Sequence, residues 1–232
     1  MKLKFMLILF LLGVMSVLNA QSQEQIQTAN WDSLFRPGSY TLKLGNFNSF
    51  AHSKNDVIFL GNSITAGTDW NELLEMPNAR NRGISGDITF GVLERLNEVI
   101  NGQPKKVFIL IGINDISRNI PDNIILANYQ RIIRRLKTGS PNTKIYFYTI
   151  LPVNNTFTQF KNHYNKDEHI FAVNEGLKKI TETEKITLID IHTPFMDAEG
   201  RMKKELTQDG LHLNADGYQL WKKILKEGGY LK

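Results

Sequence analysis

Short apolar runs alternate with stretches of helical periodicity along most of the chain, and this alternation limits the possible folds more than any other feature. The strand-like runs lie at 56–60, 107–111, 145–151 and 186–191, with a weaker one near Arg82. Apolar residues recur three and four positions apart at 88–100, 122–137, 168–181 and 215–226. Strands that lack polar alternation are buried on both faces. The pattern therefore predicts a single α/β domain with a mainly parallel sheet that helices cover on both sides.

The N-terminus has the layout of a secretory signal peptide. Lys2 and Lys4 precede an apolar run at 5–17, and polar sequence begins at Gln21. The run is shorter than the roughly 20 apolar residues that a membrane-spanning helix needs. We therefore predict that residues 1–20 are a signal peptide, that the protein is exported to the periplasm or the medium, and that it has no stable membrane insertion after cleavage. Retention of the segment as an uncleaved anchor is the alternative.

The remaining chain, 21–232, is long enough for one well-buried domain. We assign 51–232 to this domain and 21–50 to an irregular, polar lead-in segment on its outside. Removal of the two N-terminal lysines lowers the formal charge from +5 to +3, which is mildly basic. The densest basic run, 131–137, fits the solvated face of a helix, so no nucleic-acid partner is predicted. The chain has no Cys, which excludes disulfides and thiolate chemistry, and it gives no indication of oligomeric state.

Glycine and small polar residues follow several of the predicted strands. In an open parallel sheet, ligands bind outside the carboxyl ends of the strands. Those ends carry Gly61-Asn62-Ser63, the segment 83–87 and the segment 112–115. A C-terminal loop at 207–217 adds acids and a histidine. We therefore expect a site at this edge of the sheet.

Ser63 is either a helix cap after the first predicted strand or an exposed nucleophile. A nucleophilic Ser needs a base, usually His, and the base needs a carboxylate that fixes its tautomer. Of the five histidines, only His212 has an acid at a short fixed spacing within a loop, namely Asp209. His192 follows a strand and is interpreted as structural or pocket-lining. The histidines without an evident partner are interpreted as structural: His52, His163 and His169.

An ester-cleaving serine also needs donors for the oxyanion that forms. The backbone N–H groups of Ser63 and Gly83 and the side-chain amide of Asn114 come from three strand ends, and we predict that they supply these donors. The chain contains no Gly-x-Ser-x-Gly, so the nucleophile elbow of ordinary α/β-hydrolases is absent.

Four short motifs follow one another in a fixed order: Gly61-Asn62-Ser63, Gly83 in NRGISGD, Gly112-x-Asn114-Asp115 and Asp209-x-x-His212. Together they resemble the four sequence blocks of the SGNH, or GDSL-like, hydrolases, and the resemblance runs from about residue 56 to 217. It implies that Ser63 is the nucleophile, His212 the base and Asp209 the orienting acid. Gly83 and Asn114 would complete the oxyanion hole.

The same resemblance implies a three-layer α/β/α, flavodoxin-like fold with a five-stranded, mainly parallel sheet. It also implies hydrolysis of acyl esters without a metal or another cofactor. Asn62 departs from the Asp of many members, although Asn also occurs there in carbohydrate-esterase-like members.

The substrate is expected to be a short-chain acyl ester, above all an acetyl ester, of a carbohydrate or another polar small molecule. Export would bring the enzyme to glycans, and the segment 152–166 combines Asn residues with Phe157, Phe160 and Tyr164. These aromatic residues either bind a sugar or merely attach the loop to the domain. A lysophospholipase or thioesterase type of acylhydrolase is the alternative within the family, and the missing apolar lid disfavours a true lipase.

Two alternatives come from other functional classes. The first is a metal-dependent hydrolase whose carboxylate and imidazole ligands would be Asp190, His192, Asp209 and His212. It leaves Ser63 and Asn114 without a role. The second is a non-catalytic glycan-binding protein, which the intact set of catalytic residue types disfavours.

Overall fold

The computed structural model describes residues 31–232. Five parallel strands form one sheet in the order β2-β1-β3-β4-β5. The strands are β1 Val57–Gly61, β2 Ala79–Gly83, β3 Lys106–Leu110, β4 Lys144–Tyr148 and β5 Thr187–Ile189. The α/β class and the parallel, flavodoxin-like sheet predicted from the sequence are confirmed.

The strands form where the apolar runs lie, because both of their faces are buried. Every residue of β1 and β3 is buried. Phe59 and Phe108 are register partners in these strands, and their rings stack with centroids 5.1 Å apart. Tyr146 extends the stack from β4 at 4.5 Å, and Trp70 extends it from the other side at 4.0 Å. This aromatic ladder joins the central strands across one face of the sheet.

The helices are α1 Tyr40–Ser49, α2 Ser63–Ala66, α3 Trp70–Leu74, α4 Thr89–Gly102, α5 Ile113–Ser117, α6 Asp122–Gly139, α7 Asp167–Thr183, α8 His192–Phe195 and α9 Ala215–Glu227. Phe147 and Tyr148 are neighbours in β4, so their side chains leave opposite faces of the sheet. Phe147 packs against Tyr129 of α6, with ring centroids 5.0 Å apart. Tyr148 packs against Trp221 of α9 at the same distance. Helices therefore cover both faces, which gives the three-layer α/β/α arrangement.

The lead-in segment is more ordered than the sequence predicts. Residues 1–30, including the predicted signal peptide, lie outside the described residues, but α1 occupies positions that were expected to be irregular. Tyr40 and Phe47 are two helical turns apart on one face of α1, and both pack around Ile84. Four of the ten residues are apolar, but Leu42 is exposed and interrupts the helical spacing of the other three, which is why the prediction was wrong here.

No helix among residues 31–232 is long and apolar enough to cross a membrane.

Candidate active site

The first strand delivers Ser63 to the edge of the sheet through a tight turn. A Cβ at Gly61 would lie 2.2 Å from the carbonyl oxygen of Leu110, so only glycine fits where β1 ends. Asn62 caps α2, because its Oδ1 accepts a hydrogen bond of 3.0 Å from the Ile64 N–H. Ser63 is then the first residue of α2, where backbone N–H groups have no partner within the helix. Because Asn62 is the N-cap, the Ser63 hydroxyl is not used to cap the helix and can make other hydrogen bonds.

The C-terminal loop holds Asp209 against the ring of His212. The Asp209 Oδ1 accepts hydrogen bonds from the N–H groups of Leu211 (3.0 Å) and His212 (2.7 Å). Its Oδ2 accepts one of 2.8 Å from His212 Nδ1. Burial acts to raise the pKa of Asp209, but the hydrogen bonds from His212 and Leu211 outweigh it and hold the pKa below its usual value. The carboxylate is therefore charged at neutral pH and fixes the imidazole.

Ser63, His212 and Asp209 form one continuous hydrogen-bonded chain. His212 Nε2 lies 2.9 Å from Ser63 Oγ. Because Nδ1 donates its hydrogen to Asp209, Nε2 is the nitrogen that can accept the serine proton. The structure thus brings together the three residues that the sequence singles out as nucleophile, base and orienting acid. Ser63 and His212 line a cleft of about 450 Å³ at the carboxyl ends of the strands, together with Asn114, and Asp209 lies behind His212.

The amide of Asn114, which also lines this cleft, is held in a defined orientation. Its Nδ2 donates a 2.9 Å hydrogen bond to the carbonyl oxygen of Asp87, and its Oδ1 accepts one of 3.0 Å from His163 Nε2. An amide NH₂ group carries two hydrogens, so one remains after the bond to Asp87. Asn114 is buried, at 6% exposure, which favours a fixed donor over a mobile one.

Gly83 does not line the cleft, although the sequence predicts that its N–H donates to an oxyanion there. Its N–H donates a 2.8 Å hydrogen bond to Asn81 Oδ1 within its own strand. A Cβ at Gly83 would lie 2.3 Å from the backbone nitrogen of Ala66, so this glycine is needed for the close packing of α2. Its prediction as an oxyanion donor is therefore wrong. The glycine that lines the cleft is Gly86, with φ +80°, in a turn that the Asp87 N–H closes onto the Ile84 carbonyl.

Comparison with known proteins places this site in a family. The family model described as GDSL-like Lipase/Acylhydrolase matches residues 59–220, a span that includes Ser63, Asp209 and His212. The chain belongs to the GDSL-like lipase/acylhydrolase family. It is thus an acylhydrolase of the SGNH type, as the four sequence motifs suggest.

Three similar proteins illustrate the relationship. A structure from Streptococcus pneumonia, provisionally described as a platelet activating factor, is 30% identical with a TM-score of 0.75, covering 95% of this chain and 99% of that one. The human platelet-activating factor acetylhydrolase IB subunit alpha2 is 28% identical over 169 residues, covering 70% of this chain and 71% of its own length. The acetyl xylan esterase AlAXEase has the same fold at 22% identity, with a TM-score of 0.63, covering 75% of this chain and 98% of that one.

His163 is a residue of this acylhydrolase site that the sequence did not reveal. Burial, together with the nearby charges of His212, Lys166 and Arg118, lowers the pKa of His163 to about 4. The ring is therefore neutral at physiological pH, and its Nε2–H donates to Asn114. No spacing within the sequence links His163 to Asn114, 49 residues earlier, so only the path of the loop could reveal the contact.

Two aromatic residues of the segment 152–166 attach this loop to the one that carries Asp209 and His212. The Tyr164 hydroxyl donates a 2.7 Å hydrogen bond to the carbonyl oxygen of Asp209. The ring of Phe160 meets that of His212 edge-on, with centroids 4.9 Å apart, and it also lines the cleft. Tyr164 thus attaches the loop, which is one of the two roles that the sequence left open, whereas Phe160 both attaches the loop and lines the cleft.

The ligand set of a metal-dependent hydrolase is not assembled in this acylhydrolase. Asp190 Oδ1 accepts hydrogen bonds from Thr149 Oγ1 and from the His192 N–H, which makes it part of the turn after β5. His192 Nδ1 donates to the Ile150 carbonyl oxygen. Asp190 and His192 line a different cleft from the one that His212 lines. Within residues 31–232, no group of three or more His, Asp or Glu side chains is arranged to hold a metal ion.

Asp115 links the helix that carries Asn114 to the start of α4. Its carboxyl oxygens accept hydrogen bonds from the N–H and the Oγ1 of Thr89. Burial raises the pKa of Asp115 to about 7, although the hydrogen bonds from Thr89 oppose the shift. The contact fixes α5 relative to the segment 84–89, from which the Asp87 carbonyl reaches Asn114. Asp115 therefore supports the site without facing the cleft.

Proposed function

We propose that this acylhydrolase is a serine esterase that removes short-chain acyl groups, above all acetyl groups, from a carbohydrate or another polar small molecule. The observation that carries the proposal is the 2.9 Å separation of Ser63 Oγ and His212 Nε2, with Asp209 on the other ring nitrogen. A serine hydroxyl in this position can lose its proton to the imidazole as it attacks a carbonyl carbon.

The reaction follows from the positions of these three side chains. His212 Nε2 takes the hydroxyl proton while Ser63 Oγ bonds to the carbonyl carbon, and Asp209 stabilises the imidazolium that results. Collapse of the tetrahedral intermediate expels the alcohol, which receives the proton from His212 and leaves an acylated Ser63. Water then attacks the acyl-enzyme, with His212 again as the base, and releases the carboxylic acid.

The negative oxygen of the intermediate requires donors that are already in place. We assign this role to the N–H groups of Ser63 and Gly86 and to the free Nδ2 hydrogen of Asn114. Gly86 replaces Gly83 in this assignment because it lines the cleft with Ser63 and Asn114. Each such donor contributes on the order of 10²–10³ to the rate when its removal is measured.

Two observations support a short acyl group on a polar carrier. Hydroxyl and amide side chains line much of the cleft, including Ser85, Ser117 and Asn162. The names of two similar proteins, a platelet-activating factor acetylhydrolase and an acetyl xylan esterase, both describe acetyl esters.

Export through the N-terminal segment, which we also propose, is tested by mass spectrometry of the secreted protein, whose chain should begin at Gln21.

The decisive experiment compares Ser63→Ala with the wild type on p-nitrophenyl acetate, butyrate and octanoate. Turnover should fall by about 10⁶, as in serine hydrolases that lose the nucleophile. The variant should unfold at nearly the wild-type temperature, because Asn62 and not Ser63 caps α2. A variant that retains a tenth of the activity would refute the serine mechanism. A wild-type preference for octanoate over acetate would refute the short-chain specificity and favour the lysophospholipase or thioesterase type.

A further inference from the structure

Arg118 is a cation in the wall of the catalytic cleft that has no carboxylate partner among residues 31–232. It caps the C-terminus of α5, four residues after Asn114, and therefore projects from the same side of that helix. It lines the cleft together with Ser63 and His212, and it is exposed. None of the ion pairs formed within the described part of the chain involves it.

The lead-in segment holds this guanidinium in place. The Arg118 Cζ lies over the ring of Phe35, 3.2 Å from its centroid. Phe35 is fixed in turn because its neighbour Arg36 pairs with Glu94 of α4. Stacking uses the face of the guanidinium and leaves the N–H groups at its edge free to bind a ligand. An arginine held this way loses little side-chain entropy when it binds an anion.

The surroundings of Arg118 are positive. Lys166 Nζ donates to the carbonyl oxygens of Ile116 and Ser117 on the same helix, which places a second cation at this end of α5. No Asp or Glu lines the cleft, and the nearby Asp209 is already paired with His212. Both Lys166 and Arg118 help to lower the pKa of His163 after burial and His212, so their charges act on the interior of the cleft. A cleft lined by charges of one sign raises the local concentration of substrates that carry the opposite charge.

We propose that the natural ester carries an anionic group, a carboxylate or a phosphate, on its alcohol part, and that Arg118 binds this group. The inference rests on the proposed esterase function and adds a specificity determinant to it. The anion belongs to the alcohol part because the acyl group is proposed to be short. Both anions match the planar, two-pronged guanidinium, which binds them through paired N–H groups.

The test uses esters with the same acyl group and the same ring. The substrates are 4-acetoxybenzoate, which is anionic, 4-acetoxybenzamide, which is neutral, and 4-acetoxyphenyl phosphate. The readout is the ratio of kcat/KM for each anionic ester to kcat/KM for the neutral one. Differences in leaving-group reactivity cancel when the ratio of a variant is divided by that of the wild type. Arg118→Gln should lower this ratio about tenfold at low salt, and Arg118→Lys should lower it less, because a point charge remains.

The control is Arg134→Gln, which removes an exposed arginine of α6 outside the cleft. It should leave the ratio at its wild-type value. In the wild type, added NaCl should reduce the ratio, because exposed charges are screened. Whichever anion shows the larger drop on Arg118→Gln identifies the group that is bound. A ratio that Arg118→Gln leaves unchanged, or that Arg134→Gln lowers equally, would overturn the assignment of Arg118. Neutral-ester turnover that survives Ser63→Ala would instead overturn the esterase mechanism.

Discussion

Replacing His163 tests the proposed oxyanion hole without altering the triad. His163→Leu removes the Nε2–H that holds Asn114 Oδ1 at 3.0 Å, whereas the bond from Asn114 to Asp87 remains. A hydrogen bond of this kind contributes about 0.5–1.5 kcal/mol, which corresponds to a loss in kcat of about twofold to about thirteenfold. KM should stay nearly constant, because the charge on the carbonyl oxygen develops only in the transition state. His163→Gln, which retains a side-chain donor, should recover part of the loss.

The same substitution has a consequence for stability. The pKa of His163 is about 4 in the folded protein, mainly because of burial, and about 6.5 in the unfolded chain. Between these values the unfolded chain binds more protons, so the free energy of unfolding decreases as the pH falls from 6.5 to 4. The effect amounts to about 3 kcal/mol at pH 4. His163→Leu removes it. The stability of the variant relative to the wild type should therefore increase as the pH is lowered through this window.

Urea unfolding at pH 4, 5, 6 and 7, followed by tryptophan fluorescence, measures this difference directly. Asp115 has a pKa of about 7 because of burial, so the folded state binds its proton more tightly and its contribution decreases with rising pH, opposite to that of His163. Because Asp115 is present in both proteins, its contribution cancels in the comparison. A stability difference that is constant from pH 4 to 7 would refute the burial argument. Wild-type kcat in a folded His163→Leu protein would refute the role of His163 in orienting Asn114.

Three further substitutions, with Gly200→Ala as a control, separate the roles within the site. Asn114→Ala should lower kcat by about 10²–10³ with KM nearly unchanged, and normal kcat in the folded variant would remove Asn114 from the oxyanion hole. Asp209→Ala should move the acidic limb of the pH–rate profile to lower pH, because the imidazolium loses its carboxylate; an unmoved limb would contradict this. Gly86→Ala should cost about 1–2 kcal/mol at φ +80° and also lower kcat. Gly200→Ala has the same backbone strain at φ +81° away from the cleft, without the 3.2 Å contact to Pro37 that a Cβ at Gly86 makes; if it lowers kcat equally, general destabilisation and not displacement of the Gly86 N–H explains the loss.

The sequence predicts the sheet and the association of Ser63, Asp209 and His212 well, because each depends mostly on short-range patterns. Strands buried on both faces appear as unbroken apolar runs, and β1 and β3 coincide closely with them. Asp209 and His212 lie three residues apart in one loop, so their pairing needs no knowledge of the fold. Only the contact between His212 and Ser63, 149 residues apart, depends on the topology, and the rule for the ends of parallel strands supplies it.

The errors arise where side-chain position depends on backbone torsion or on the path of a loop. The segment NRGISGD contains two glycines, and their spacing alone does not show which one faces the cleft. The backbone turn determines which glycine faces the cleft: Gly86 has φ +80°, whereas the N–H of Gly83 donates a hydrogen bond to Asn81. His163 is similarly placed by the course of the loop after β4. Its link to Asn114 follows from tertiary structure and from no local pattern.

A buried arginine, Arg95, connects the strand end that precedes Ser63 to the turn that carries the proposed oxyanion donor Gly86. Arg95 Nε donates to the Asp87 carboxylate at 2.9 Å, and its other nitrogens donate to the carbonyl oxygens of Arg82 (2.9 Å) and Gly61 (3.0 Å). Arg95 therefore ties the ends of β1 and β2 to the turn whose carbonyl at Asp87 orients Asn114. A buried ion pair is weak evidence of net stability, because desolvation opposes the Coulomb attraction. Here the Arg95–Asp87 pair matters because it fixes the relative positions of these backbone segments.

The site therefore consists of two structural parts, one joined by Arg95 and one that is not. Ser63, Gly86 and Asn114 belong to a frame of strand ends that Arg95 holds together, whereas His212 comes from a separate loop. The bond between His212 Nε2 and Ser63 Oγ is where the two parts meet in the triad. Substitutions in the frame should therefore act on kcat through the positions of the oxyanion donors. Substitutions in the loop should act through the protonation of the base, which appears in the pH–rate profile, and this difference identifies the part to which a further residue belongs.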